Sequence, residues 1–143
     1  MKKIFTTTVI AVVAFAGTLS AQQVSKEQRI AIQSDNVETF KKAFPKSDYD
    51  KCLSVKESST TMLSYSLKFQ KNKIANFLIA NNADVNKACD GTTPLMNAAM
   101  YGNTDMLKTL ISKGADKNKK NSEGKTAKQL ATEMKQTASA AAL

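Results

Sequence analysis

Cys52 and Cys89 are the side chains of this 143-residue chain with the most distinctive covalent chemistry, and histidine is absent altogether. Without histidine the Ser-His-Asp and Cys-His nucleophile arrangements are excluded, as is every histidine-containing zinc site. Two thiols cannot complete a four-thiolate zinc site within one chain. The sequence also has no Gly-rich phosphate loop and no clustered carboxylates, so no catalytic set, metal or cofactor is expected, and an enzyme is the least favoured class. Cys52 and Cys89 are left with a structural disulfide or a redox cycle. The other chemistry is charge: the formal net charge is +9, carried by lysine, with Arg29 the only arginine. Lysine does not give the planar two-point recognition of phosphate that arginine gives, so nucleic acid is not expected as a partner. Lys113, Lys117, Lys119, Lys120 and Lys125 gather near the C-terminus, either as a solvated face or as a site for anionic envelope components.

The elements that must position these groups are legible from a repeat. Asp-Gly-Thr-Thr-Pro at 90–94 returns as Glu-Gly-Lys-Thr-Ala at 123–127, which sets Gly124 33 residues after Gly91 and Thr126 33 after Thr93. That period points to a stacked solenoid. Within the repeat, Thr93 can cap a helix and Pro94 suits its first position. Leu95, Ala98 and Ala99 share one face, Gly102 ends the helix, and Met106, Leu107, Leu110 and Ile111 form the stripe of a second helix closed by Gly114. The segment DGTTPLMNAAMYGNTDMLKTLISKGADKN resembles an ankyrin repeat. The resemblance implies an all-α ankyrin-repeat solenoid of stacked helix-turn-helix units with hairpin loops. Met96 departs from the family's Thr-Pro-Leu-His signature and puts in question the contact between repeats that the histidine commonly makes.

Other copies are weaker. Thr61, Leu63 and Leu67 stand for Thr93, Leu95 and Ala99, and Ile74, Phe77, Leu78 and Ile79 give a second stripe. Asn82 replaces Gly114, which asparagine's tolerance of left-handed backbone allows. Gln70 replaces Gly102 and predicts a looser turn. An N-terminal copy has a break at Asp35-Asn36 and a helix carrying Val37, Phe40, Ala43 and Phe44, stopped by Pro45. The polar stretch 47–60 is expected to be an irregular extended connection. The predicted organisation is an N-terminal capping repeat at about 26–57, repeats at 58–89 and 90–121, and a truncated C-terminal cap at 122–143 with a frayed tail.

The family usually binds through hairpin tips and the exposed side of the first helices. Carried onto this chain, that concave face presents Glu57, Ser58 and Thr60, then Lys68 and Phe69, Asp90 and Thr92, Met100 and Tyr101, and lastly Ser122, Glu123 and Lys125. Phe69 and Tyr101 occupy equivalent places one repeat apart and are either an interface anchor or fillers between helix and hairpin. The loops carrying Cys52 and Cys89 should be neighbours. Stacked hairpins nevertheless lie further apart than the roughly 7 Å that a bridge spans, unless the long connection bends inward, so the bond stays open.

Residues 1–21 read as a secretory signal peptide: Lys2 and Lys3 lead, Val9 to Ala16 is almost wholly apolar, and Leu19-Ser20-Ala21 offers small residues for cleavage. The apolar run is too short to span a bilayer. The mature chain, 22–143, is expected to be a periplasmic or secreted monomer that binds an as yet unknown protein. The alternatives are an envelope redox accessory using Cys52 and Cys89, or adhesion through the lysines.

Overall fold

Helices of six to nine residues do not persist alone in water, so each must be fixed at its ends and buried against a neighbour. The computed structural model describes residues 23–143, and the expected signal segment, 1–21, lies outside them. Among the described residues there are four helix pairs: α1 (Lys26–Gln33) with α2 (Val37–Ala43), α3 (Met62–Lys68) with α4 (Asn72–Ala80), α5 (Pro94–Met100) with α6 (Thr104–Ser112), and α7 (Ala127–Glu133) with α8 (Thr137–Ala142). The inner helices α3, α5 and α7 pack side by side as one layer.

The same device starts each of those three. Thr61, Thr93 and Thr126 accept through their hydroxyls from the backbone N–H of Ser64, Met96 and Gln129, at 3.1, 3.2 and 3.4 Å. Gln129 reaches back to the Thr126 N–H at 2.9 Å, while Met96 does so through its sulfur, 3.4 Å from the Thr93 N–H. Met96 therefore serves its own repeat where the family's histidine would join two.

Each pair is turned by one residue in the left-handed region: Asp35, Gln70, Gly102 and Lys135, with φ of 48, 54, 71 and 58°. The turn at Gln70 is not looser. Lys71 N–H donates to the Ser66 carbonyl at 2.8 Å, as Asn103 does to Ala98 at 2.9 Å and Gln136 to Ala131 at 2.8 Å. These are the closing bonds of a helix C-terminus. Gln70 also sends its amide Nε2 to the Tyr101 carbonyl of the next repeat, 3.0 Å away, a bond that no glycine makes.

Leu63, Leu67, Ile74, Leu78, Leu95, Ala98, Ala99, Leu107, Leu110 and Ala131 are fully buried and form a core that runs through the stack. At its N-terminal end Phe40 packs on Phe44, Tyr49 and Phe77, with ring centroids 4.8, 5.8 and 6.1 Å away. Aromatic area thus anchors the first helix pair to α4.

Two further expectations are corrected. The stretch 47–60 is not irregular: a 3₁₀ turn at Lys46–Asp48 leads into β1 (Leu53–Val55), which pairs antiparallel with β2 (Ser58–Thr60) in the register Leu53–Thr60. Lys56, with φ of 57°, allows the two-residue loop, and Leu53 is buried against the core. The tail does not fray either. Although shorter than α4 and α6, α8 buries Ser139 and packs on α6 and α7, its alanines allowing close approach.

Candidate functional site

Helices α1, α3 and α5 and the β1–β2 hairpin line a groove of about 880 Å³. Lys68, Phe69, Asp90, Thr92, Met100 and Tyr101 line it, together with Glu57, Ser58 and Thr60. Of the expected face, Ser122, Glu123 and Lys125 lie outside it. Lys125 is held by Glu123 at 3.0 Å and by Glu133 of α7 at 2.9 Å. Hydrogen bonds from the ammonium to Glu133 and Glu123 raise its pKa above the ordinary lysine value.

Phe69 and Tyr101 are brought together by register, each immediately before the left-handed residue of its turn. Phe69 is 47 % exposed and packs against Tyr65 at a tilt, with centroids 4.7 Å apart. Lys68 Nζ sits 5.9 Å from the Phe69 centroid and 5.8 Å from that of Tyr101, a cation shared by two rings. Asp90 has a different task. Its carboxylate accepts from the Ser59 N–H and ties β2 to the next hairpin.

Arg29, Gln33, Val55, Lys56, Ser59, Tyr65 and Asn97 also line the groove and were missed. The period could have found three of them. Tyr65 and Asn97 stand four residues before Phe69 and Tyr101, and Gln33 stands two before Asp35 as Lys68 stands two before Gln70. Burial pushes the Tyr65 phenol above its ordinary value, an effect partly offset by the positive charge of Arg29.

Cys52 and Cys89 are joined, with Cα atoms 5.8 Å apart. The inward bend on which the bond depends comes from the β-hairpin: pairing of Leu53 with Thr60 brings Cys52 back to the start of α3, and the Ser59 N–H is held by Asp90, next to Cys89. Cys89 is 6 % exposed, which limits thiol access from solvent. In the lysine cluster, Lys119 donates to the Asn86 carbonyl at 3.0 Å and Lys117 to that of Leu143 at 3.4 Å, while Lys113 and Lys120 lie exposed. Among the described residues, no group of three or more Cys, Asp or Glu is placed to hold a metal ion, and no helix is long and apolar enough to cross a membrane.

Paired short helices, threonine caps, left-handed turns and hairpins in a ladder define a helical repeat solenoid with a concave groove. The sequence matches the family described as ankyrin repeats (3 copies) over residues 29–121 and again over 63–143, and the chain belongs to the ankyrin-repeat family. No curated protein matches it. Ankyrin repeats are in general protein–protein interaction modules and are typically non-catalytic.

Proposed function

We propose that the chain is an exported, monomeric, non-catalytic binding module of the cell envelope or secreted space, holding a protein partner along its concave face and hairpin tips. The observation that carries this reading is the pair Phe69 and Tyr101, one repeat apart in the groove with the Lys68 ammonium beside both rings. Aromatic side chains held by a rigid scaffold lose little freedom on binding and concentrate interface energy. Export is supported by Lys2, Lys3 and the apolar stretch from Val9 to Ala16, and an oxidising compartment suits the Cys52–Cys89 bond.

The test is crosslinking in the native envelope followed by affinity capture, run beside the Phe69→Ala, Tyr101→Ala double variant. A partner recovered with the wild type and lost with a folded double variant supports the groove. Equal recovery with both would show that the partner binds elsewhere.

A further inference from the structure

Resting on the groove as the binding face, we propose that its partner is an extended acidic protein segment carrying a bulky apolar side chain. The apolar half of this recognition follows from register. Phe69, Tyr101 and Met134 each directly precede the left-handed residue of their turn, so one row of large apolar side chains crosses three successive repeats. Among the described residues the large hydrophobic side chains left exposed are Ile30, Phe69 and Met134, and two of these belong to the row. Exposed large apolar groups aligned on one face mark an interaction surface more strongly than the same groups scattered.

The acidic half follows from the balance of charges on that face. Arg29, Lys56 and Lys68 line the groove, and none forms a salt bridge among the described residues. The groove's own carboxylates are Asp90 and Glu57, and Asp90 is engaged by the Ser59 N–H. Further along the row Glu133 is paired with Lys125 at 2.9 Å. None of the five charged groups that line the groove is in a salt bridge, so the lining carries three cations against two carboxylates, a net charge of +1, which favours an acidic segment over a basic one.

The geometry also fixes how such a segment is held. The Ser54 carbonyl accepts from the Val24 N–H at 3.1 Å, so the backbone groups of Ser54, and of Ser59 opposite it, point away from the hairpin. Asp90 occupies the outward Ser59 N–H. With that donor taken, the segment is held by its side chains rather than added as a further strand. A volume of about 880 Å³ gives room for a few side chains of one extended chain.

The experiment is a display library of random linear peptides panned on the folded chain, with the enriched peptides measured against wild type, Lys68→Glu, Lys56→Glu and the Phe69→Ala, Tyr101→Ala double variant. Thermal melts check that each variant is folded, and two separate charge variants guard against one failing to fold. The expected winners combine an aromatic or large aliphatic residue with neighbouring Asp or Glu. They lose roughly tenfold or more in affinity to the charge variants and weaken as salt is raised. Winners without acidic enrichment that still require Phe69 and Tyr101 would overturn this inference and leave the groove reading standing. Winners indifferent to the double variant, or no winners, would overturn both.

Discussion

The second and third repeats have nearly the same backbone and secure it differently. Residues 93–115 carry the family's own solutions: Pro94 at the first helical position, Gly102 and Gly114 where the chain turns left-handed, and alanines where helices meet. Residues 61–83 have Gln70 and Asn82 at the two turns and no proline, yet the closing hydrogen bonds are the same. Both repeats are tied to their neighbours by hydrogen bonds, the third through Asn103 to Asn72 at 2.7 Å and through Gly114 and Asp116 to Asn86 at 2.9 and 2.8 Å. Asp35 of the first turn accepts from the Ile74 N–H at 3.1 Å at the start of α4, and Asp50 accepts from the Asp84 N–H at 2.8 Å. Asp90 holds β2, Gln70 reaches the Tyr101 carbonyl, and Cys52–Cys89 closes the whole segment. What sets the repeat with poor local signals apart is therefore a covalent closure that the repeat with good ones lacks.

The largest effect that can break this comparison is loss of the disulfide. Cys52→Ser with Cys89→Ser opens a loop with a sequence separation of 37, and chain entropy sets the cost at about 4 kcal/mol. Denaturant melts measure the total, and hydrogen exchange should show the loss concentrated in 53–80 and sparing 94–112. Uniform loosening of both repeats would remove the distinction drawn between them.

A smaller effect sharpens it. Gly102→Ala should cost about 1–2 kcal/mol, because the left-handed turn penalises a Cβ and that atom would run into the Gln136 amide. Gln70→Gly should change stability by less than ~0.5 kcal/mol, since relief of the same penalty offsets loss of the exposed bond to Tyr101. If Gln70→Gly proves as damaging as Gly102→Ala, the bridging amide matters more than the conformation does. One further effect is shared: Thr61→Ala and Thr93→Ala should each cost about 1 kcal/mol in the same melts, because the caps are equivalent.

Local chemistry was the legible part of the sequence. Threonine caps, Gly102, Gly114 and Asn82 announce helix ends whatever surrounds them, and the aligned stripes gave the fold. The β1–β2 hairpin was not legible, because Lys56 takes a left-handed conformation without being a glycine. The end helix α8 was missed because alanine and serine give no periodic contrast between faces. At the site, nine of the twelve residues named for the concave face were brought together in one groove. Glu123 and Lys125 were not, since Lys125 turns to Glu133, a partner set by the packing of the last hairpin on α7. The hairpin also explains why the cysteine bond stayed open: nothing local says that the connection doubles back.

The central claim is that Phe69 and Tyr101 bind a partner rather than fill the core. It is tested most directly by titrating the captured partner, in purified form, against the wild type and the Phe69→Ala, Tyr101→Ala double variant, with a thermal melt of each. The account predicts a melting transition retained within a few degrees and an affinity reduced by roughly thirtyfold or more, the loss expected when an interface anchor is truncated. An unchanged affinity in a folded variant, or a variant that no longer folds, would contradict it.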